Sequence, residues 1–222
     1  MIRKVCGMRD PKNMLDLAAT GTTVMGLIFY KKSPRYFNGE LPQLPSNMAL
    51  AGVFVNSSIS EVTDKAETYD LSYIQLHGEE TPEYCQSLKS ALEEKDLSPR
   101  IIKALPVAAK EDLSPISGYK GVTDLFLFDT RGRNRGGNGE QFDWSILKDY
   151  SADTPFLLSG GIGPEDAGAI ITFLASPWGA RCAGIDLNSR FEIRPGLKDT
   201  RLIKEFNTQL VEGNLKQKNT QE

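Results

Sequence analysis

The sequence predicts an α/β protein folded as one closed (β/α)8 barrel, the TIM-barrel architecture, and three observations predict it. Short apolar runs rich in Val, Ile, Leu and Phe recur about eight times with helix-forming segments between them, the alternation that builds a parallel sheet covered by helices. The 222 residues sit at the compact end of the range for that fold. No G-x-G-x-x-G turn follows any of the runs, as the dinucleotide-binding form of the competing open, doubly wound sheet would require.

The elements follow in order. Ile2 to Val5 is the first apolar run, followed by a helix over Lys12 to Ala19. Val24 to Phe29 is the second, and after it Asn38 to Asn47 (NGELPQLPSN) carries two prolines that exclude a long helix, leaving a truncated helix or a loop. Leu50 to Val55 precedes a helix over Ile59 to Tyr69, with Ser60 before Val62 as its start signal. Tyr73 to Leu76 leads to Pro82 to Glu94, where Thr81 stands before a first-turn proline. Ile101 to Ala104 is paired with a helix at Lys110 to Tyr119, and Leu125 to Phe128 with a short one at Trp144 to Lys148. Phe156 to Leu158 runs into Gly163-Pro164-Glu165-Asp166, which starts a helix to Ala175. Ala183 to Ile185 is the eighth strand, and Asp199 to Gly213 the closing helix. No Pro/Gly/Ser linker and no repeat divides the chain, so residues 1–213 read as a single domain and 214–222 as a polar tail without periodicity that frays.

Composition narrows the function classes. Hydrophobic residues are 40% and charged residues 25%, enough for a real core. The 26 basic residues are outnumbered by 29 acidic ones, which disfavours a general nucleic-acid protein. Mean hydropathy is −0.33, no apolar run approaches a bilayer span, and Met1 to Met8 lacks the apolar stretch of a secretory signal. A cytoplasmic protein without membrane partners is expected. The three cysteines, at 6, 85 and 182, have no zinc-like spacing and read as reduced thiols. With His77 as the one histidine, a metal site of protein ligands is not expected, and an enzyme would draw its acid and base from carboxylate or thiol.

In a (β/α)8 barrel the chemistry sits where strands end in the C-terminal direction. Those positions carry Cys6, then Lys31, Lys32 and Arg35, then Asn56, His77, Asp129, Gly160 and Gly161, and finally Asp186, Asn188 and Ser189. Gly160-Gly161-Ile162-Gly163-Pro164 joins a strand to a helix start, so its amides can approach an anion, and the loops after strands seven and eight are a frequent phosphate site; the alternative is a plain tight turn. Cys6 is either a packed thiol or a reactive one whose thiolate needs nearby positive charge. Asp129 emerges from the apolar run Leu125 to Phe128, where partial desolvation would raise its pKa and suit an acid. Its alternatives are an N-cap or a pair with Arg131, Arg133 or Arg135. Asp186 has the same ambiguity. Arg35, beside Pro34, suits a bidentate grip on a carboxylate, or belongs to a solvated basic loop. His77 orients a substrate or caps the next turn.

Taken together in order and spacing, the segments KVCGMRDPKN from Lys4, GLIFYKKSPRYF from Gly26, GVFVN from Gly52, IQLHGEE from Ile74, KALPV from Lys103, LFDT at Asp129, GGNGEQFDW from Gly136, LLSGGIGPEDA from Leu157 and IDLNSRFEIRPGLKD from Ile185 cover nearly the whole chain. They resemble phosphoribosylanthranilate isomerase of tryptophan biosynthesis. The resemblance implies an Amadori rearrangement of N-(5-phosphoribosyl)anthranilate without metal or organic cofactor. It implies Cys6 as general base, Asp129 as general acid, Arg35 on the anthranilate carboxylate, and Gly160, Gly161 and the Asn188-Ser189 turn on the phosphate. His77 and Asp186, from their strand-end places, are expected to bind substrate as well. The implied partner is a small phosphosugar, and the protein is a monomer or a homodimer. Asn188-Ser189-Arg190 stands where many relatives have two serines and a glycine, and Asn138 where threonine is commoner. The rivals are another phosphosugar barrel, the synthase of the following step, which wants a lysine acid and strand-end glutamates, and a non-catalytic phosphosugar-binding protein.

Overall fold

Eight parallel strands close on themselves in chain order, β1 lying beside β8. The computed structural model describes residues 1–130 and 143–221, with side chains as far as Gly213. The strands are β1 (Ile2–Cys6), β2 (Val24–Ile28), β3 (Ala49–Phe54), β4 (Tyr73–Leu76), β5 (Arg100–Val107), β6 (Leu125–Thr130), β7 (Phe156–Leu158) and β8 (Cys182–Leu187). Helices α1 (Pro11–Ala18), α2 (Ile59–Thr68), α3 (Pro82–Glu93), α4 (Ala167–Ala175) and α5 (Thr200–Gln221) cover the outside. The barrel expected from the alternation is the one that forms.

Strand periodicity of two sorts the side chains. Val5, Ile74, Leu76, Phe126, Phe128, Phe156 and Leu158 point outward into the large shell shared with the helices. Ile102, Ala104, Leu125, Leu127 and Leu157, with Ile2 and Tyr73 packed against them, fill the lower barrel interior. Continuing the same inner faces upward brings Lys4 and Cys6 on β1, Gln75 and then His77 past the end of β4, and Asp129 on β6 toward the mouth. The apolar floor therefore carries a polar ring above it.

Helix starts follow the capping rules. Asp10 accepts from the Asn13 amide with Pro11 opening α1, Ser58 accepts from Glu61, and Thr81 accepts from Tyr84 ahead of Pro82. Two expected helices are instead 3-10 segments, Lys110–Tyr119 and Trp144–Asp149. The first contains Pro115, which has no N–H for an α-helical bond. The segment Asn38 to Asn47 carries no helix. An unexpected antiparallel pair, β9 (Glu192–Arg194) and β10 (Leu197–Lys198), follows a 3-10 turn at Ser189–Phe191. The backbone of α5 runs on to Gln221, through the segment expected to fray. Among the described residues no helix is long and apolar enough to cross a membrane.

A second polar cluster ties the loops after β3 and β4 to strand β5. Lys103 Nζ donates to Glu80 Oε2 at 2.8 Å and to the Gly78 carbonyl at 2.8 Å, while Glu80 Oε1 accepts from the Asn56 amide at 2.7 Å. Lys103 points outward from β5, and both partners are almost fully buried.

Candidate active site

A cavity of about 390 Å³ opens at the C-terminal mouth of the barrel, within the usual range for small-molecule sites, roughly 300 to 1,000 Å³. Of the strand-end residues read from the sequence, Cys6, Lys32, Arg35, His77, Asp129, Gly160, Gly161, Asp186, Asn188 and Ser189 line it, whereas Lys31 does not and Asn56 belongs instead to the Glu80 cluster. Three sit deeper than expected. Cys6 is the last residue of β1, Asp129 lies within β6 opposite Pro106, and Asp186 lies within β8 opposite Lys4. An apolar run ends at its last apolar residue, whereas the backbone ladder continues through the polar ones.

Cys6 is buried, and its neighbour across the ladder is Gly26. A Cβ at residue 26 would lie 2.9 Å from Cys6 Cα and 3.0 Å from its Sγ, so only glycine leaves the sulfur its place. Burial pushes the Cys6 thiol above its ordinary range, although the charges of Lys4 and Lys198 both favour the thiolate. Lys4 itself is fully buried and donates to Asp186 Oδ1 at 2.9 Å. Burial also pushes the Asp186 carboxyl upward, against the pull of Lys4.

On another side of the mouth, Asp129 Oδ1 accepts from the Thr130 amide at 2.9 Å, and Oδ2 lies 3.4 Å from His77 Nε2. Gln75 Nε2 is 2.8 Å from His77 Nδ1. The Gln75 contact at Nδ1 leaves Nε2 as the ring nitrogen that faces Asp129. His77 is thus a neighbour of the carboxylate as well as a wall of the cavity. Arg131, Arg133 and Arg135, as well as Asn138 and most of the GGNGEQFDW segment, lie outside the described residues.

Arg35 is not a solvated loop residue. Its Nε donates to Glu192 Oε1 and Oε2 at 2.9 and 3.1 Å, and Nη2 to Oε2 at 2.7 Å. This fork fixes the guanidinium plane. Lys198 Nζ donates to Glu192 Oε1 at 2.8 Å and to Asn188 Oδ1 at 2.7 Å. Burial draws the Lys198 ammonium down to about 8 in spite of Glu192. The Asn188 oxygen is therefore turned toward Lys198.

Gly160 and Gly161 both have left-handed backbone, with φ of 83° and 65°. The Gly163 amide, nearer the helix start, is already taken by Asp166 Oδ2 at 2.6 Å. Arg190, at the cavity rim, pairs with Glu165.

The residues that sequence reasoning passed over are Lys4, Gln75, Glu192 and Lys198. Lys4 carried a usable signal, a charge two positions before Cys6 on a strand buried on both faces. Glu192 and Lys198 carried none, because they belong to the β9–β10 pair that no apolar run announces.

The model of the N-(5'-phosphoribosyl)anthranilate isomerase family matches residues 3–209 of this chain. The N-(5'-phosphoribosyl)anthranilate isomerase of Parabacteroides distasonis is 47% identical over 219 residues, covering 95% of this chain and 94% of that protein. The crystal structure of the phosphoribosyl anthranilate isomerase of Thermotoga maritima superposes with a TM-score of 0.79 at 30% identity, covering 96% of this chain and 100% of that one. A phosphoribosyl anthranilate isomerase in complex with reduced 1-(o-carboxyphenylamino)-1-deoxyribulose 5-phosphate superposes with a TM-score of 0.76 at 30% identity, covering 96% and 100%.

Proposed function

From the premise that this chain belongs to the N-(5'-phosphoribosyl)anthranilate isomerase family and is an isomerase of tryptophan biosynthesis, we propose that Cys6 is its general base and Asp129 its general acid. The observation that carries this reading is the meeting of both groups on the inner face of one cavity, with a fixed guanidinium at one wall and two left-handed glycines at another.

Asp129 gives a proton to the furanose ring oxygen as the C1–O bond breaks, and the anthranilate nitrogen lone pair forms the C1=N bond of a protonated Schiff base. That cation acidifies the C2 proton. Cys6, as thiolate, takes the proton onto Sγ, the C2–H electrons form the C1=C2 bond, and the C1=N pair returns to nitrogen. The resulting enolamine relaxes to the ketone. His77, oriented by Gln75, holds the Asp129 carboxyl toward the mouth. Arg35, clamped from behind by Glu192, receives the anthranilate carboxylate on its remaining N–H groups, and Gly160, Gly161 and the Asn188-Ser189 turn receive the phosphate. Asp186 lines the sugar end of the cavity beside Cys6. The phosphosugar reported in the related complex has both the carboxylate and the phosphate this arrangement suits.

Conversion of freshly made phosphoribosylanthranilate, followed as loss of anthranilate fluorescence, tests the assignment. Wild type turns over, and Cys6→Ser and Asp129→Asn each fall by at least about a hundredfold, the usual scale for removing a general acid or base, with unchanged circular dichroism. Near-wild-type turnover in either variant ends that residue's assignment. A silent wild type that still binds the reduced product analogue would reduce the protein to a phosphosugar-binding barrel.

A further inference from the structure

Beneath the cavity lies a charge that the proposed chemistry does not use. Lys4 is fully buried and is not among the residues lining the cavity. It stands two positions before Cys6 on β1, so both side chains share the inner face. Its ammonium donates to Asp186 Oδ1 at 2.9 Å, across the β1–β8 ladder, where Lys4 and Asp186 are direct partners. The charge of that ammonium and that of a Cys6 thiolate favour each other.

A buried ion pair is a weak way to stabilise a fold, since well-packed apolar side chains often serve as well or better. This barrel interior uses them elsewhere, at Ile102, Ala104, Leu125, Leu127 and Leu157. What an apolar residue could not supply at position 4 is a positive potential at the sulfur. Resting on the reading of Cys6 as base, we propose that Lys4 is its positioning residue: its ammonium is the charge against which the thiolate forms, and Asp186, by sharing that ammonium, sets how much of it the sulfur receives.

The surroundings agree. Burial alone favours the neutral thiol, Lys4 and Lys198 oppose it, and Asp186 adds to it. Lys198, from β10, is itself bound to Glu192 and weakened by burial and by Arg35. Asp129 and His77 face the pair from across the mouth and act on Asp186 with opposite signs. Of the two cations Lys4 and Lys198, Lys4 acts on Cys6 the more strongly. In the proton-transfer step the C2 proton ends on Sγ, and Lys4 keeps its own protons throughout.

The test reads the sulfur directly. Alkylation of Cys6 by iodoacetamide in the resting protein is followed by mass spectrometry of its peptide, which separates it from Cys85 and Cys182, from about pH 6 to about pH 10, across the ordinary thiol range. Folded Lys4→Met is expected to slow Cys6 alkylation at about pH 8 by at least about tenfold, the low end of the effect of an adjacent opposite charge, and to lower kcat more than it changes KM. Lys4→Arg restores much of the rate. Asp186→Asn is expected to speed alkylation, because the thiolate becomes the ammonium's remaining anionic partner. Unchanged alkylation in folded Lys4→Met overturns the proposal. If that variant does not fold, Asp186→Asn decides, and a Cys6 no more reactive than in wild type overturns it. The readout does not depend on turnover, so an active Cys6→Ser protein would defeat the base assignment while leaving the hold of Lys4 on the sulfur measurable.

Discussion

Replacing Gly160 by alanine tests, through the backbone, the placement of Asp129, the acid proposed above. At φ of 83° an alanine carries a left-handed strain of roughly 1–2 kcal/mol. The added Cβ would lie 2.4 Å from the Thr130 nitrogen and 2.9 Å from Asp129 Oδ1, with the Thr130 hydroxyl closer still. An ordinary contact is about 3.4 Å, so the end of β6 must retreat by about 1 Å. The Thr130 amide is hydrogen-bonded to Asp129 Oδ1, so the carboxyl moves with it. A misplacement of about 1 Å costs about a hundredfold in rate. Gly160→Ala should therefore lower kcat/KM about a hundredfold in the fluorescence assay, with a stability loss on the order of 1–3 kcal/mol in urea unfolding. Gly121→Ala is the control, because Gly121 has φ of 81° but nothing within 4 Å of an added Cβ. It should show the strain and keep the activity. Wild-type kcat/KM in Gly160→Ala would refute the link between this turn and the working position of Asp129.

Two further outcomes concern the supporting ion pairs. Lys103→Met leaves the Glu80 carboxylate buried without its cation, and urea unfolding should report a loss of about 3–5 kcal/mol; a loss no larger than that of an exposed lysine would show the pair to be idle. Glu192 is the second case: burial by itself would raise its carboxyl, but hydrogen bonds from Arg35 and the charge of Lys198 hold it below the usual range. A depressed carboxyl contributes stability that is fully present above its unfolded value, about 4.3, and is lost as pH falls through the lower folded value. The stability difference between wild type and Glu192→Gln should be flat near neutrality and shrink below about pH 4; a difference independent of pH down to acid unfolding would contradict the pairing.

The barrel was legible because strands buried on both faces read as apolar runs, and β4 and β7 match their runs residue for residue. The residues that line the cavity were legible because the fold itself says where to look, at the strand ends. What stayed hidden are the partners. Arg35 reads as a basic loop until Glu192, 157 residues away, is brought against it. Asn188 and Ser189 read as equivalent polar donors until Lys198 claims the asparagine oxygen. Asp186 reads as a rim residue, yet its ladder bonds with β1 put it in the barrel wall. Each of these depends on contacts across the mouth, which local patterns do not encode.

The seam between β1 and β8 has a consequence for the order of assembly. Lys4 and Asp186 are 182 residues apart in the chain. Closing so long a loop costs entropy that grows only slowly with length, yet contacts of such high separation form late in folding. Before β8 seats beside β1, Lys4 lacks its Asp186 partner and Cys6 stands on a strand at the sheet edge. The burial of Cys6 and the Lys4–Asp186 pair are therefore products of the same closure.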